Sequence, residues 1–198
     1  AEALSQLPAE VARGSYHPLQ SFAPRAEEAS LPVPPYIVAA DGDDGALQAA
    51  EQIAAATGHR LLRVPSEGRA AYHCAAVLAS NLLVALQATA SQVMERAGLS
   101  PEESWSALWP LVVGSLANLE GGNFPEALTG PVPRGDAATV ERNLEAMVDH
   151  PSGLAIYAAL GTAALRLAAQ AGLPSEQVAA VRAALDRAIG GPSMRDDR

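Results

Sequence analysis

Residues 70–94 read AAYHCAAVLASNLLVALQATASQVM and decide the fold. Alanine, leucine and valine recur through this stretch at helical spacing, and no charged side chain interrupts it. Ser66 precedes it as a residue suited to an N-cap, and Gly98 follows it as a stop signal. These signals predict one helix from Ser66 to Ala97.

The same stretch is long and apolar enough to raise the question of a membrane span. Its polar side chains argue against a lipid-exposed helix. They are His73, Ser80, Asn81, Gln87, Thr89, Ser91 and Gln92. We therefore predict a central helix that other helices bury on most sides, and no membrane partner.

Further helix signals follow downstream. Ser100-Pro101-Glu102-Glu103 is a capping box with proline at the first helical position, and Pro110 is expected to kink the helix that it starts. Asp136 is expected to cap a third helix, which ends near Val148. Two more helices are predicted at about 153–171 and 174–189. Residues 66–190 thus form a predicted all-helical domain of about five helices, followed by a flexible tail at 191–198.

The first 65 residues have a different composition, rich in proline and in β-branched and aromatic residues. SYHPLQSF (15–22), PYIVAAD (35–41) and LLRVP (61–65) read as short strands, and a helix is predicted between Asp44 and Thr57. Three strands and one helix cannot form a well-covered sheet alone. The predicted fold class is a partial, Rossmann-like α/β segment at 1–65 followed by the all-α domain, mainly helical overall.

Composition excludes several function classes. The 198 residues carry a net charge of −9, and all 13 cationic residues are arginine. Without lysine there is no Schiff-base chemistry and no phosphate-loop lysine. Because phosphate binding needs a dense cationic face, we expect no nucleic-acid partner. One cysteine excludes an internal disulfide and suits the reducing cytoplasm, and the start of the chain does not read as a signal peptide.

Histidine is the scarce acid–base candidate in this sequence. Of the four histidines, His59 and His150 are predicted to be exposed turn residues. His17 lies at the carboxyl end of a predicted strand, where α/β sheets bind ligands. Spacing alone favours the alternative, a loop histidine with a satisfied hydrogen bond. His73 shares a helix face with Ser80 and Asn81. This polar stripe is either structural or lines a cleft for a small molecule.

Motifs for nucleotides, metals and nucleophilic serine do not occur in the sequence. It contains no GxGxxG, phosphate loop, HExxH, GxSxG or paired-cysteine pattern. Asp43 and Asp44, in the turn GDDG, are expected to be solvated rather than to bind metal. No metal site is predicted.

Three spaced phrases carry a resemblance to a known family. HPLQSF (17–22), RAAYHCAAVLASN (69–81) and LTGPVPRGD (128–136) resemble a family of predicted NAD(P)-dependent oxidoreductases. Its members join a Rossmann-like N-terminal domain to a helical domain of unknown function, similar to the C-terminal domain of 6-phosphogluconate dehydrogenase. The resemblance implies a cytoplasmic homodimer, formed through the helical domain, that uses NADP or NAD. It also implies hydride transfer between nicotinamide and a small carbonyl, hydroxy or imine substrate.

The resemblance also implies roles for individual residues. Asn81 would orient the substrate oxygen, with His73 or His17 as proton donor. Ser80, Gln20 and Ser21 would border the same cleft. Arg134 would bind a substrate carboxylate, or would pair with Asp136 and fix the turn.

Two departures from the family alter what the resemblance implies. Related β-hydroxyacid dehydrogenases and ketopantoate reductase use a lysine as general acid, and this sequence has none. The Gly-rich nucleotide fingerprint belongs to a part of the Rossmann domain that should precede residue 1, so the cofactor-binding residues are unknown and the chain alone is expected to be inactive. Three explanations compete for the missing fingerprint. The chain is a truncated piece of a longer protein, a partner chain supplies the first half, or the protein has lost the cofactor.

A non-catalytic function is the alternative hypothesis. A helical module that dimerises or binds a small molecule would need no cofactor site. The uncharged helix and the pair Trp105 and Trp109 fit extensive helix packing, within or between subunits.

Overall fold

The computed structural model describes residues 8, 10–22 and 35–189, without the side chain of residue 189. The chain divides into two compact units, Ala1–Val84 and Ala85–Arg198. Each unit is described separately. The domain boundary predicted between residues 65 and 66 stays a prediction. The predicted tail at 191–198 lies outside the described residues.

A three-stranded sheet forms the first part of the first unit. Its strands are β1 (Gly14–Pro18), β2 (Ile37–Gly42) and β3 (Arg60–Arg63), in the order β1-β2-β3. β1 is antiparallel to β2, and β2 is parallel to β3. Helix α1 (Asp44–Thr57) connects the two parallel strands. β2 is the central strand, and its residues 38–41 are buried on both faces.

The bounds of α1 follow from its two end residues. The Asp43 carboxylate accepts a hydrogen bond from the backbone N–H of Ala46, 3.0 Å away, and therefore caps the first turn. Gly58 ends the helix in the left-handed conformation, with φ 72°. The GDDG turn therefore has a structural role through Asp43, while Asp44 is the exposed first residue of the helix.

The predicted helix from Ser66 to Ala97 is wrong in one respect, because it is broken at Ser80. A 3-10 turn at Ser66–Gly68 precedes α2 (Arg69–Ala79), and α3 (Asn81–Glu95) follows. Ser80 has φ −121° and ψ −75°, outside the helical region. Its hydroxyl donates to the carbonyl of Ala76, 2.7 Å away. Back-bonding of this kind bends helices, and it explains the break.

The prediction that other helices bury this stretch is also wrong for the described residues of a single chain. Neither α2 nor α3 contains a buried residue. Leu78 and Val84 are 59% and 70% exposed. Helical spacing identifies an apolar face that includes these side chains, but no described residue of this chain covers them.

Two helical stretches of the described chain are long and apolar enough to cross a membrane by length and composition. They are Ser66–Glu95, with mean hydropathy 1.5, and Pro151–Gln170, with mean hydropathy 1.3. The second is partly buried inside its own unit. A core helix of a folded protein meets the same criteria, so two such helices are weak support for a membrane location.

The described part of the second unit contains helices and loops and no strand. Its helices after α3 are α4 (Pro101–Asn118), α5 (Phe124–Ala127), α6 (Ala137–Glu145), α7 (Pro151–Gln170) and α8 (Ser175–Ile189). The core lies among α6, α7 and α8. Its buried residues are Val132, Val140, Leu144, Ala158, Leu165, Val181, Ala184 and Leu185.

The predicted fold class is confirmed, with a different helix count. The described chain is mainly helical, with a small sheet followed by seven helices rather than about five. One additional helix arises from the break at Ser80, and the other is the single turn of α5 within a region rich in Gly and Pro. The capping box at Ser100 and the cap at Asp136 both form as predicted.

Candidate active site

His17 and Tyr72 meet through a hydrogen bond in the first unit. Nδ1 of His17 lies 2.8 Å from the hydroxyl oxygen of Tyr72. The two rings also pack edge to face, with centroids 5.9 Å apart. His17 is exposed and Tyr72 is half-buried. A polar pair with one solvent-facing partner can exchange protons with a bound molecule.

A buried carboxylate fixes the approach of α2 to the sheet. Asp41 lies opposite Ser15 in the register of β1 and β2, and its side chain is only 5% exposed. Its two oxygens accept hydrogen bonds from the Ser15 hydroxyl and from the guanidinium of Arg69. Arg69 is the first residue of α2. The ion pair therefore anchors the start of α2 to the end of β2.

This anchor explains why Tyr72 reaches His17. Ser15 and His17 are two residues apart in β1 and project from one face of the sheet. Arg69 and Tyr72 are three residues apart in α2 and project from one face of the helix. The start of α2 is thus attached to the sheet at two neighbouring points, and the second point is the His17–Tyr72 bond.

Burial keeps the Tyr72 phenol protonated. Loss of hydration raises the pKa of Tyr72 above its ordinary value of 10.0. Near pH 7 the phenol is therefore neutral and carries a proton that it can donate. When that proton goes to Nδ1 of His17, the imidazole presents Nε2–H outward; the opposite tautomer donates from Nδ1 to the phenol oxygen.

Tyr72 was missed by the sequence analysis. The motif RAAYHCAAVLASN drew attention to His73, which precedes Ser80 by seven residues, and not to its neighbour. The available signal was the spacing of Tyr72 three residues after Arg69. That signal gains meaning only once Asp41 is known to bind Arg69.

The structure brings together only some of the predicted site residues. The Ser80 hydroxyl lies 3.0 Å from Oδ1 of Asn81, so these two polar groups are neighbours. His73 is exposed, and its side chain makes no hydrogen bond to another described residue. Because the helix breaks at Ser80, the predicted stripe does not continue along one regular helix face.

Gln20 and Ser21 lie in a turn after β1. The backbone N–H of Gln20 donates to the carbonyl of Pro18 at 2.9 Å. The Gln20 amide oxygen accepts from the backbone N–H of Ser21 at 3.2 Å. Both residues are exposed and follow His17 closely in sequence. Their side chains are therefore accessible to a ligand at the end of β1.

Arg134 lies in the second unit and is exposed. The predicted pairing with Asp136 is absent among the ion pairs of the described residues. Asp136 instead accepts from the hydroxyl and the backbone N–H of Thr139, at 2.7 and 3.0 Å. These bonds hold the pKa of Asp136 below its usual range, and the charges of Arg142 and Arg134 contribute less.

The other two histidines have structural roles and are half-buried rather than exposed, contrary to the prediction. Nδ1 of His59 accepts from the backbone N–H of Tyr36 at 3.2 Å. Nδ1 of His150 accepts from the backbone N–H of Gly153 at 2.9 Å and caps α7. The His150 imidazole thereby satisfies a backbone donor in the first turn of α7.

His17 does not lie at the edge of the sheet where the carboxyl ends of the parallel strands meet, contrary to the prediction. A cavity of about 390 Å³ lies at the carboxyl ends of β2 and β3, and Asp41, Arg63 and Arg69 are among its lining residues. Because β1 is antiparallel to β2, His17 pairs with Ala39, towards the amino end of β2. His17 is thus at the carboxyl end of its own strand but not at the carboxyl ends of the two parallel strands.

The residues of this chain do not supply the pyrophosphate-binding part of a dinucleotide site. Binding a pyrophosphate needs backbone N–H groups in a Gly-rich turn before a helix, and the sequence contains no such fingerprint. The His17–Tyr72 pair, by contrast, has the proton-exchanging groups that a substrate site needs. Among the described residues, no cluster of His, Cys, Asp and Glu could hold a metal ion.

Comparison with known proteins shows the family to which this chain belongs. Residues 36–164 match a family described as a domain of unknown function, DUF2520. The chain belongs to this family. A comparison with curated proteins finds no match.

Two solved structures share this fold. Protein TM1727 from Thermotoga maritima is 26% identical, with a TM-score of 0.66 over 80% of this chain and 62% of that one. Protein BF3122 from Bacteroides fragilis, named as a candidate NADP oxidoreductase, is 19% identical, with a TM-score of 0.64 over 83% of this chain and 61% of that one. The chain thus spans about three fifths of the length of each relative.

Proposed function

We propose that this chain is the substrate-side portion of an NAD(P)-dependent oxidoreductase acting on a small carbonyl, hydroxy or imine compound. The His17–Tyr72 hydrogen bond of 2.8 Å is the observation that carries the proposal. The oxidoreductase-like fold and the name of the B. fragilis relative support it. NADP or NAD, a cytoplasmic location and the likeness to 6-phosphogluconate dehydrogenase are parts of the same proposal.

The pair would supply a proton where β-hydroxyacid dehydrogenases and ketopantoate reductase rely on lysine. A neutral phenol donates to the substrate oxygen or nitrogen, and His17 then returns a proton to the Tyr72 oxygen through Nδ1. Since His17 is exposed, Nε2 exchanges protons with solvent. A bound nicotinamide would supply the hydride at the neighbouring carbon. The sequence has no lysine, so a phenol–imidazole pair is the alternative source of this proton.

Other polar residues would bind the substrate. We propose that Asn81, held beside the Ser80 hydroxyl, orients the substrate oxygen. His73, whose exposed side chain makes no hydrogen bond to a described residue, is a second candidate for proton transfer. Gln20 and Ser21 would border the substrate, and Arg134 would bind a carboxylate.

The nucleotide-binding half would come from elsewhere in the protein or from a separate chain. The relatives are longer than the region they share with this chain, which fits a Rossmann-like half outside it. This chain would add the substrate groups and, through its helices, the contacts of a homodimer. A small-molecule substrate is expected, and neither nucleic acid nor membrane.

Substrate-dependent oxidation of NADPH by the full protein tests this proposal. A panel of 2-oxo acids, aldehydes and cyclic imines would serve as substrates. We expect Tyr72→Phe and His17→Ala to lower kcat by about 10²- to 10⁴-fold, the range of general acid catalysis. Tyr16→Phe is the matched control, because its hydroxyl is buried without a hydrogen-bond partner among the described residues. Near-normal turnover in both site variants would refute the proposed role.

A non-catalytic helical module remains the second candidate. The observation that favours it is the exposed apolar surface of the helices after the sheet. It predicts that the full protein neither binds NADPH nor oxidises it with any compound of the panel. Tight NADPH binding by the full protein would contradict the module.

A further inference from the structure

A cavity of about 750 Å³ lies inside the second unit, with α3 and α7 among its walls. All of its lining residues fall between residues 86 and 164, so it belongs to one unit and is separate from the His17–Tyr72 pair. Two of them, Val132 and Met147, are core residues that are only 7% and 5% exposed. The volume lies within the range of about 300–1,000 Å³ that is typical of small-molecule sites.

The wall formed by α3 is apolar and lacks cover. Leu86, Ala90 and Val93 line the cavity at intervals of four and three residues, so they share one face of the helix. α3 contains no buried residue. The small side chain of Ala90 leaves space in front of this face. An apolar molecule in the cavity would therefore gain contacts that the described residues of this chain do not supply to α3.

One end of this wall carries a positive charge. Among the described residues that line the cavity, Arg96 alone is charged, and it follows the last residue of α3. Its Nη2 lies 3.8 Å from Oδ2 of Asp149, a side chain that is 82% exposed and is not among the lining residues. Exposed ion pairs of this length contribute little. The Arg96 guanidinium can therefore bind another carboxylate, for which its planar donor geometry is well suited.

A second polar group lines the α7 side of the cavity. The phenol oxygen of Tyr157 accepts a hydrogen bond from the side-chain amide of Asn143 at 2.9 Å. Its own O–H has no acceptor among the described residues, so it can donate to an oxygen of a bound molecule. By contrast, the hydroxyl of Thr89, also in the lining, already donates to the carbonyl of Ala85 at 3.0 Å.

We propose that this cavity binds an amphipathic monocarboxylate, with the carboxylate on Arg96 and the apolar body along α3 and α7. The lining residues of α7 extend from Gly153 to Ala164, which is about 16 Å of helix at roughly 1.5 Å per residue. An extended hydrocarbon chain suits this length. Apolar walls with a few placed polar groups are the usual composition of such a site.

The charge of the lining selects this class of ligand over others. A cation would be repelled by Arg96, and a neutral apolar molecule would leave the guanidinium unused. Nucleotides and other polyanions need several cationic side chains, whereas this cavity has one. The proposal does not depend on the oxidoreductase function, because it involves neither the His17–Tyr72 pair nor a nicotinamide.

Titration calorimetry without any cofactor tests the proposal. Decanoate, decanol and decyltrimethylammonium would be titrated into the protein below the concentrations at which they form micelles. We expect one decanoate per chain, with an affinity at least tenfold higher than that of decanol and no binding of the cation. Octanoate should bind more weakly than decanoate by about tenfold, the effect of two methylene groups. Unsaturable binding, or equal affinity for decanoate and decanol, would overturn the proposal.

Two pairs of matched variants locate the ligand. Arg96→Gln should abolish the preference for decanoate over decanol, whereas Arg166→Gln changes an exposed arginine outside the lining and should preserve it. Ala90→Trp should fill the cavity and prevent binding of both ligands. Ala88→Trp places the same ring at an exposed position outside the lining and should leave binding intact. Decanoate affinity that is unchanged in Arg96→Gln and Ala90→Trp would show that the ligand binds elsewhere.

A second copy of the chain is the other possible occupant of the cavity, and the same samples test it. Calorimetry and sedimentation would be repeated over a range of protein concentrations. If decanoate is the ligand, its affinity should not change with protein concentration, and hydrogen exchange should slow at residues 86–97 and 153–164. Loss of decanoate binding as dimers form would show that a second copy covers the cavity, and would overturn the proposal.

Discussion

The phenol oxygen of Tyr72, on the first turn of α2, lies 2.8 Å from Nδ1 of His17, at the end of β1. These residues are 55 positions apart in sequence. Their contact depends on the ion pair between Arg69 and the buried carboxylate of Asp41, which holds the start of α2 against the sheet. The geometry gives this chain, which has no lysine, a neutral proton donor next to an imidazole.

Alkaline pH should destabilise the protein through Tyr72. Burial raises the pKa of Tyr72 in the folded state, so the unfolded chain loses the phenol proton first. Stability is complete below the ordinary tyrosine pKa of about 10 and falls as pH rises towards the folded value. Urea unfolding between pH 8 and 11 measures this effect. Tyr72→Phe should remove part of the alkaline loss; a pH dependence identical to that of the wild type would contradict the prediction.

Loss of Arg69 should be more harmful than loss of an exposed arginine. Arg69→Ala leaves the buried Asp41 carboxylate without its charged partner and should cost about 1–3 kcal/mol in the free energy of unfolding. Arg63→Ala is the control, because the Arg63–Glu51 pair is exposed and should contribute little. Denaturant titration of both variants measures the difference. Equal stability of the two variants would show that the Asp41 pair does not anchor α2.

Two glycine substitutions should act in opposite directions. A Cβ at Gly161 would lie 2.7 Å from Cδ2 of the buried Leu185, so Gly161→Ala should cost about 1–3 kcal/mol. A Cβ at Gly114 in α4 meets nothing within 4 Å. Gly114→Ala should therefore stabilise the helix by about 0.4–1 kcal/mol. Thermal and urea unfolding decide both signs, and a stabilising Gly161→Ala would contradict the packing of α7 on α8.

Acid should weaken the start of α6. Hydrogen bonds from Thr139 lower the pKa of Asp136 below its ordinary 3.8. Because the pKa of Asp136 is lower in the folded chain, its ionised carboxylate stabilises the fold at pH values above the unfolded-state pKa. This stabilisation is lost as pH falls through the folded-state pKa. Asp136→Asn should reduce this loss between about pH 4 and pH 2. Asp149→Asn, at a side chain that is 82% exposed, is the control and should leave the acid loss unchanged.

Local chemistry made much of the fold predictable. The capping box at Ser100, the cap at Asp136 and the stop at Gly58 each depend on a few neighbouring residues, and all three form as expected. The break at Ser80 was not predicted, since a serine in an alanine-rich helix continues it unless its hydroxyl bonds to the preceding turn. Burial of 70–94 was predicted wrongly because helical spacing identifies apolar side chains but not what covers them.

The site was less predictable than the fold. His17 was identified by its place after a strand, and Ser80 and Asn81 by their polarity on an apolar helix. Tyr72 could not be found in this way, because its contact with His17 depends on where α2 packs against β1. The Asp41–Arg69 pair that fixes this position joins residues 28 positions apart in sequence.

A double-mutant cycle on NADPH oxidation by the full protein tests the central claim most directly. If Tyr72 and His17 pass one proton between them, kcat should fall by a similar factor in Tyr72→Phe, in His17→Ala and in the double variant. The Tyr16→Phe control should retain wild-type turnover. Losses that multiply in the double variant, or turnover unaffected by either substitution, would contradict the claim.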